Sequence, residues 1–405
     1  MKSFKLLLII LIIASCKVET NEETLSKLKI DLSQSREVKL SEFVSELKYV
    51  KLQTENIPLG EGLVKLRDQH IYYWDFQQKI ICVFNHNGKL VSKLDKVGQG
   101  PGEYTFPIHF DVLDDEKMIE IWDKSKGRII RYNNLNFELI EEIPIQNMIT
   151  FTSSIKLSNT DYLLSANQAL NIVNDKKTNA EFYLFDSNGK LKDTYFDRLY
   201  KDEDKKDIIR YSLFKFKLIN DDYKNTYASV NYDNKLYRYK NDGFKPILEV
   251  DFVNGNSVNN EELLKMSKVE HMQYFTKSSD FVKTASFPNF EIYNEKVTLV
   301  NYMFKESLGG FIDQRSFISL KNLNQTINAK SIVNDLTNFP ANVKIGYTDN
   351  DTYIHCNPWY KDHFVSVISP EAIMDYGQKV KIDQIGELTA LDNPIILFMK
   401  LKQEK

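Results

Sequence analysis

The sequence predicts an all-β fold, a six-bladed β-propeller, and three observations support this prediction. One pattern occurs twice, because Ile71-Tyr72-Tyr73-Trp74-Asp75 returns 48 residues later as Ile119-Glu120-Ile121-Trp122-Asp123. A period of roughly 40–50 residues with strand-type residues in each unit is typical of propeller blades. Aromatic residues make up 12% of the chain and, with β-branched residues, fill alternating runs that favour strands. Tight-turn pairs also recur after the third strand of a unit, at Asn87-Gly88, Asn188-Gly189 and Asp242-Gly243.

The strand runs divide the chain into six units, at residues 62–95, 108–145, 150–195, 212–253, 288–330 and 343–369. Counts of five or seven blades stay open, because the third and fifth units have poorly marked limits. The last unit lacks an outer strand of its own. Either of two further strand candidates, 47–52 and 395–401, could complete it as a closing terminal strand and leave no sheet edge unpaired. Residues 258–277 have helical spacing and predict one short helical insertion.

The N-terminus predicts a lipoprotein signal peptide over residues 1–15. Two lysines precede an apolar run over residues 6–13, which is too short to cross a bilayer but suits a signal peptide. The run ends in Ile13-Ala14-Ser15-Cys16, which resembles a bacterial lipobox, and this resemblance implies that Cys16 is the lipidated residue. An ordinary secretory signal with an incidental cysteine is the alternative. We expect residues 16–36 to be the lipidated cysteine and a flexible tether, and residues 37–405 to be a single propeller domain.

The charge of the chain limits its possible partners, and its cysteine content bears on disulfide formation. The formal net charge is −3, and it becomes −5 once residues 1–15 are removed, because that segment carries two lysines and no acid. A mildly acidic chain without a basic tract argues against nucleic acid. Beyond Cys16, only Cys82 and Cys356 remain, both in apolar alternating runs where a buried free cysteine is favoured over a disulfide.

A glycine-rich loop lies between the first two units. It reads Gly98-Gln99-Gly100-Pro101-Gly102-Glu103-Tyr104. No Gly-Lys-Ser/Thr follows and no helix begins there, so it is not a phosphate-binding loop. We interpret Gly98, Gly100, Pro101 and Gly102 as a structural connector that needs unusual backbone angles.

This loop, the lipobox and two terminal segments together carry a family resemblance. The segments are residues 43–52 and a strand that begins at Asp392-Asn393-Pro394-Ile395. The chain resembles the six-bladed β-propeller lipoproteins of Bacteroidetes-type bacteria and, more distantly, proteins with NHL-like repeats. The resemblance implies the propeller fold and a lipid-anchored location in the cell envelope, at the outer membrane on its periplasmic face or at the cell surface. It implies no general activity, so no catalytic residues are transferred.

The sequence contains no recognisable catalytic or metal-binding motif. The six histidines form neither His-x-x-x-His nor His-Glu-x-x-His, and a zinc site at His355, Cys356 and His363 is disfavoured. We therefore predict no catalytic residue, no metal site and no cofactor. Whether the protein is an enzyme stays uncertain, since propeller enzymes assemble their sites from several blades.

The ligand-binding candidates lie in loops that we expect on one face of the propeller. Trp and Tyr beside charged and amide groups suit a sugar or a peptide. We interpret Trp74 and Trp122 as structural residues between blades, and the two aspartates that follow them also as turn caps. The candidates are Trp359, Tyr360, Asp75, Asp123, Lys124 and Tyr104.

These observations favour a lipid-anchored, non-enzymatic binding module for a glycan, a peptide or a partner protein of the envelope. One alternative is a propeller enzyme, a polysaccharide or peptide lyase or hydrolase. Another is a structural accessory of an envelope complex that docks through the predicted helix near Leu263.

Overall fold

The computed structural model describes residues 25–113, 116–157, 160–166, 169–197, 218–221, 225–230, 232–240, 243–258, 262–263, 270, 273–274, 282–307, 312–345, 354–369, 380–389 and 391–403. Within these ranges the chain is almost entirely β-structure. Three strands precede the first blade: β1 (Ser26–Asp31), β2 (Arg36–Lys39) and β3 (Val44–Lys51). Short 3-10 helices lie at Leu32–Gln34, Leu40–Glu42 and Lys321–Leu323.

Blades 1 to 3 each contain four antiparallel strands that lie side by side in chain order. Blade 1 contains β4 (Gly62–Leu66), β5 (Ile71–Asp75), β6 (Ile80–Phe84) and β7 (Leu90–Leu94). Blade 2 contains β8 (Pro107–Leu113), β9 (Met118–Asp123), β10 (Arg128–Asn133) and β11 (Leu139–Pro144). Blade 3 contains β12 (Ser153–Lys156), β13 (Tyr162–Ser165), the inserted hairpin β14 (Asn171–Val173) and β15 (Lys176–Thr178), then β16 (Phe182–Phe185) and β17 (Leu191–Tyr195).

In blades 4 and 5 four consecutive strands again pair antiparallel, and those of blade 5 have nine or ten residues each. Blade 4 contains β18 (Leu218–Asp221), β19 (Asn225–Ser229), β20 (Lys235–Lys240) and β21 (Gly243–Val253). Blade 5 begins with β22 (Asn256–Ser257) and continues with β23 (Thr284–Tyr293), β24 (Val297–Lys305), β25 (Ile312–Leu320) and β26 (Gln325–Val333).

The last sheet, which we call the terminal sheet, combines both ends of the chain. The C-terminal region supplies β28 (Trp359–Tyr360), β29 (His363–Ile368) and β32 (Ile395–Leu401) to this sheet. The same region also contains β27 (Ile354–Cys356), which precedes β28, and a separate hairpin of β30 (Val380–Ile382) and β31 (Gly386–Leu388). The strand order is β28-β29-β32-β3, so β32 lies between β29 and the N-terminal β3. Both strand candidates that were expected to complete the last unit therefore join it.

Five blades are complete in the described part of the chain, rather than the six expected. Each has at least four strands of three or more residues, whereas the innermost strand of the terminal sheet, β28, has only two. The reason is that the segment 354–360 divides between two sheets. Its first half, β27, pairs in parallel with β4 of blade 1, and only β28 pairs with β29.

The expected tether over residues 16–36 is wrong from Ser26 onward. Strand β1 pairs in parallel with β21 at the outer edge of blade 4, and β2 pairs in parallel with β26 at the outer edge of blade 5. The cause is visible in the alternation of polar and apolar residues around Leu28 and Ile30, because Ile30 is fully buried in the core between these two blades.

The hydrophobic core is divided among the spaces between neighbouring sheets. A cluster joins blade 1 to blade 2, and further clusters join blades 2 and 3, 3 and 4, 4 and 5, blade 5 and the terminal sheet, and the terminal sheet and blade 1. The series returns to its start, so the sheets form a closed propeller arrangement. Trp74 and Trp122 lie in two of these spaces, as predicted.

Two faces of the propeller are used below. The upper face carries the turns between second and third strands and the connectors between blades; the lower face carries the turns between first and second strands. Of the expected helical insertion, residues 262–263, 270 and 273–274 are helical, and the rest of 258–277 lies outside the described residues, apart from Val258. The predicted signal peptide and Cys16 also lie outside them.

Candidate functional site

Asp75 and Asp123 occupy the same position in blades 1 and 2 and have the same kind of contacts. Asp75 accepts hydrogen bonds from the Gly60 N–H at 2.9 Å and the Gln78 N–H at 2.7 Å. Asp123 accepts hydrogen bonds from the Phe106 N–H at 3.0 Å and from the Thr105 N–H at 3.1 Å. Both side chains are almost fully buried. Each aspartate therefore fastens the incoming connector to the upper turn of its blade, as the turn-cap interpretation expected. Neither side chain is exposed for ligand binding, which differs from the expectation that they are binding residues.

The hydrogen bonds of Asp123 also determine its ionisation. Burial alone would raise the pKa of this carboxyl group, but hydrogen bonds from the Phe106 N–H, the Ser125 side chain and the Thr105 N–H stabilise the carboxylate. The pKa of Asp123 is therefore below its usual value.

Tyr104 is a core residue rather than a ligand-binding one. Its side chain is fully buried between blades 1 and 2, and its hydroxyl donates a hydrogen bond to the Lys79 carbonyl oxygen at 2.7 Å. Burial raises the pKa of this hydroxyl. The sequence pattern could not distinguish this buried ring from an exposed one.

The glycines of that loop make room for one carboxylate. The Glu103 side chain folds back and accepts a hydrogen bond from the Gly100 N–H at 2.7 Å. A Cβ atom on Gly98 would lie 2.1 Å from the same carboxylate. Gly102 has a positive φ of 65°, and its N–H donates a hydrogen bond to Glu142 of blade 2 at 2.9 Å. The loop, with Pro101 at its turn, is thus a compact connector without a free anion cradle.

Lys124 lies on the upper face and is partly buried. Its Nζ donates a hydrogen bond to the Thr150 hydroxyl at 2.7 Å, and its backbone N–H donates one to the Phe106 carbonyl oxygen at 3.0 Å. The ammonium group therefore links blade 2 to the segment that enters blade 3.

Trp359 and Tyr360 lie on the lower face, opposite to the aspartates with which they were grouped. The Tyr360 hydroxyl donates a hydrogen bond to the Arg67 carbonyl oxygen at 3.0 Å, and the Lys361 Nζ lies 3.1 Å from the Asp68 carboxylate. Both partners belong to the lower turn between β4 and β5. The expected common face is wrong because residues 361–362 join a first strand, β28, to a second strand, β29.

The two aromatic rings point to opposite sides of β28, as neighbouring residues of a strand do. Trp359 packs edge-on against Phe364, with ring centroids 5.4 Å apart, in the core between blade 5 and the terminal sheet. Tyr360 packs toward blade 1 and stacks on His86 at 6.1 Å. Trp359, and not Tyr360, lines the cleft described next.

This cleft, which we call the Trp359 cleft, has a volume of about 260 Å³ and opens on the lower face. It lies among the innermost strands of blade 4, blade 5 and the terminal sheet. Aromatic, amide and charged side chains line it together. The lining residues are Ile219, Glu291, Ile292, Tyr293, Asn294, Glu295, Lys296, Asn357, Trp359, Lys361 and Asp362.

Charged side chains of both signs surround the Trp359 cleft. Lys296 Nζ lies 2.6 Å from the Asp362 carboxylate and links blade 5 to the terminal sheet. Lys321 Nζ lies 4.6 Å from the centre of the Tyr293 ring, a cation–π distance, and burial lowers the pKa of this lysine. Such a cleft offers ring faces for apolar contacts, together with donors and acceptors for hydroxyl or amide groups.

A second polar cluster, in the inner part of blades 1 and 2, was missed from the sequence. Asp111 on β8 lies 2.8 Å from Lys65 Nζ on β4 and 2.9 Å from the Arg67 guanidinium. Burial opposes ionisation of Asp111, but the two cations outweigh it and lower the pKa of Asp111 to about 2. Because the partners are 44 and 46 residues apart in sequence, only the register of the two inner strands brings them together.

His109 and Glu120 lie on the same side of blade 2. His109 is buried, and burial together with the nearby Lys65 lowers the pKa of its imidazole to about 3. Glu120 accepts hydrogen bonds from Arg131 at 2.9 Å and from the Tyr162 hydroxyl at 2.6 Å, which links blades 2 and 3. In the repeated pattern Glu120 occupies the position of Tyr72. This change from tyrosine to glutamate at a buried strand position was the sequence signal that could have revealed the polar cluster.

Among the described residues, no group of three or more His, Cys, Asp or Glu side chains is arranged to hold a metal ion. Cys82 and Cys356 are free thiols, and burial raises the pKa of each to about 12. Over the described ranges, no helix is long and apolar enough to cross a membrane.

Comparison with known proteins identifies the family. A family model described as "Domain of unknown function (DUF4934)" matches residues 25–400, and the chain belongs to this family. No curated protein matches the sequence. A Bacteroides fragilis crystal structure described as a "putative exported protein" is 18% identical with a TM-score of 0.66, and the match covers 93% of this chain and 100% of that one. A Bacteroides vulgatus structure of the DUF4221 family is 10% identical with a TM-score of 0.49, covering 89% and 98%. The first of these similarities supports the fold.

Proposed function

We propose that the protein is a lipid-anchored β-propeller of the bacterial cell envelope that binds a glycan or peptide, without chemical turnover, in the Trp359 cleft. The observation that carries this proposal is the cleft itself. It joins two aromatic side chains, Trp359 and Tyr293, to carboxylate, ammonium and amide groups at the point where three innermost strands meet. Aromatic faces beside paired polar groups are the chemistry that recognises sugars and peptides.

The location and the blade count belong to the same proposal. Export is supported by the description of the Bacteroides fragilis neighbour. The lipid anchor at Cys16 rests on the lipobox-like sequence, and the outer membrane rests on the resemblance to the propeller lipoproteins. We count the terminal sheet as a sixth blade, because hydrophobic clusters join it to blade 5 on one side and to blade 1 on the other.

An enzyme that acts on the same ligands is the second candidate. Three carboxylates, those of Glu291, Glu295 and Asp362, line the Trp359 cleft. Paired carboxylates supply the acid and base of many glycosidases. A hydrolase or lyase would release product from the ligand that binds, so assays of product on every ligand found separate the two functions.

The first test is a thermal-shift screen of residues 18–405 against oligosaccharides, peptides and divalent metal ions. A ligand at about one hundred times its dissociation constant stabilises the folded state by roughly 2.7 kcal/mol, which gives a measurable rise in melting temperature. The proposal expects one sugar or peptide class to raise it. No shift with any of these would contradict a glycan or peptide site and would favour a protein partner.

Substitution of the exposed Glu295 then locates the site. Glu295→Lys reverses a charge on the rim of the Trp359 cleft without entering the core, so we expect the ligand-induced shift to be lost. The matched control is Phe106→Ala, which removes an aromatic side chain that is 51% exposed on the upper face. Loss of the shift in the Phe106 variant alone would place the ligand on the upper face.

A further inference from the structure

We propose that the Trp359 cleft takes a neutral sugar unit, which it recognises through the sugar's hydroxyl groups rather than through a charged group. This specificity rests on the proposed function and narrows it from a glycan or peptide to an uncharged glycan. It follows from which polar groups of the lining already have partners within the protein and which are left for a ligand.

The ammonium groups at the cleft are held by other groups of the protein. Lys296 Nζ lies 2.6 Å from the Asp362 carboxylate, and Lys361 Nζ lies 3.1 Å from the Asp68 carboxylate. The Lys321 ammonium lies 4.6 Å from the centre of an aromatic ring of the lining. An anionic ligand would have to displace one of these contacts to reach a cation, so the cations frame the cleft and do not favour an anion.

Two asparagine side chains of the lining have their oxygens in use. The Asn294 Oδ1 accepts hydrogen bonds from the Lys296 N–H at 2.9 Å and the Val297 N–H at 2.8 Å. The Asn357 Oδ1 accepts one from the Trp359 N–H at 3.1 Å. Because a backbone N–H requires an acceptor, these bonds fix which end of each amide is the NH2 group. Within the described ranges neither NH2 group donates to another residue, so both are donors for a ligand.

Carboxylates of the lining supply the acceptors. The Glu291 Oε1 accepts a hydrogen bond from the Asn289 Nδ2 at 2.6 Å. Asn289 is fully buried, so the carboxylate is held in place from inside blade 5 while it lines the cleft. A carboxylate has about four acceptor positions, so Glu291 can accept from a ligand as well as from the protein. Glu295 is exposed at the rim of the same cleft.

Amide donors beside carboxylate acceptors match hydroxyl groups, because each hydroxyl both donates and accepts a hydrogen bond. The partly buried Trp359 ring supplies an apolar surface for the C–H groups of the same sugar. The cleft volume of about 260 Å³ is below the roughly 300–1,000 Å³ of pockets for drug-sized ligands, so it suits one sugar unit. The Glu295 carboxylate repels anionic sugars, and a cation would gain only an exposed ion pair with it, which contributes little.

Ligand-induced melting shifts with matched probes test this class of ligand. The chain 18–405 is screened with the neutral trisaccharides cellotriose, xylotriose, mannotriose, maltotriose and chitotriose. The counterparts are trigalacturonate, the glucosamine trimer, and capped trialanine, trilysine and triglutamate. We expect at least one neutral trisaccharide to raise the melting temperature more than any counterpart does.

The other outcomes separate this specificity from the binding function itself. A larger rise with a charged sugar or with a peptide would overturn the neutral-sugar assignment and leave the proposed binding function standing. No rise with any probe would contradict the proposed function, and the sugar specificity with it.

Asn294→Asp tests the amide donors within the cleft. Aspartate keeps an oxygen for the backbone N–H groups but replaces the NH2 group by an acceptor. The chain itself shows that aspartate suits such a turn, because the Asp186 Oδ1 also accepts hydrogen bonds from two backbone N–H groups. The matched control is Asn85→Asp in a turn of blade 1, where the asparagine Oδ1 again accepts two backbone N–H groups.

Titration calorimetry with the trisaccharide that gives the largest shift measures the effect. We expect binding about tenfold weaker for Asn294→Asp and unchanged for Asn85→Asp, because only the first loses a donor to the sugar. Asn357→Asp, which keeps the acceptor for the Trp359 N–H, should weaken binding in the same way. Equal affinities of both cleft variants and the unsubstituted protein would overturn the inference, because the sugar would then bind without the amide donors.

Discussion

Blade 2 and the terminal sheet are built from the same kind of strands in two different ways. Blade 2 is one continuous segment, and it repeats the pattern of blade 1 down to the aspartate that fastens the incoming connector. The terminal sheet takes β3 from the N-terminal region and the rest from the C-terminal region. The regular blade uses its repeated polar residues for its own stability, whereas the Trp359 cleft lies where the repeat is interrupted. In this molecule, therefore, the repeated residues are structural and the irregular closure supplies the candidate site.

The largest expected effect is loss of the fold on removal of the closing strand. Deleting residues 395–405 removes β32, the strand that holds β29 and β3 together, and exposes the cores on both sides of the terminal sheet. We expect no cooperative thermal transition in circular dichroism. Deletion of residues 402–405 alone, which leaves β32 intact, is the matched control. Equal melting of the longer deletion and the full chain would mean that β32 does not close the ring.

The next effect separates a structural tryptophan from the one at the cleft. Trp122 is fully buried, so Trp122→Ala should cost about 3–5 kcal/mol of unfolding free energy. Trp359 is only partly buried, so Trp359→Ala should cost less and mainly weaken ligand binding. Urea denaturation measures both costs. A larger cost at position 359 than at position 122 would reverse the assignment and make Trp359 a core residue.

Lowering the pH should destabilise the regular blades through His109. Its pKa in the folded protein is about 3, compared with the ordinary histidine value of 6.5 that applies to the unfolded chain, so between these pH values only the unfolded chain takes up this proton. The stability that His109 contributes is thus complete above pH 6.5 and falls by up to about 1.4 kcal/mol per pH unit below it.

The His109 contribution is isolated by comparison with His109→Gln. Unfolding free energies of the two proteins are measured between pH 7 and pH 4.5, above the range in which Asp111 titrates. The difference between them should shrink as the pH falls. Parallel pH profiles would mean that His109 is not held in the neutral form.

The smallest expected effect concerns the aspartates of the repeat. Asp123→Asn keeps the shape, but it replaces one of the two carboxylate oxygens that accept backbone N–H groups by an amide NH2, which cannot accept, and this should cost about 1–3 kcal/mol. Asp75→Asn should behave alike, since its contacts match, and neither change should alter ligand binding. Calorimetric melting and the thermal-shift screen measure the two properties. A loss of ligand binding with either variant would return these residues to the binding site.

The sequence predicted the features that depend on local pattern. The repeat at residues 71–75 and 119–123 indicated the propeller, the two tryptophans were correctly assigned between blades, and residues 395–401 were one of the two candidates for the closing strand. Hydrophobic alternation and turn chemistry suffice for these, because each is encoded within a few neighbouring residues.

Features that depend on distant pairing could not be predicted. The division of residues 354–360 between two sheets depends on which strand β27 pairs with, and the residues of the segment do not themselves determine that partner. The contact of Lys65 with Asp111 requires the register of two separate blades. For the N-terminal strand, by contrast, the alternation around Ile30 was a usable signal that the polar composition of the region obscured.

The most direct test of the central claim is one comparison of ligand-induced melting shifts at the Trp359 cleft. The chain 18–405 and its Lys296→Glu variant, which breaks the link to Asp362 across the cleft, are screened with the same oligosaccharides and peptides. We predict that a ligand which raises the melting temperature of the unsubstituted protein leaves that of the variant unchanged. An equal rise in both proteins would contradict the proposed site, because the ligand would then bind away from the closure of the ring.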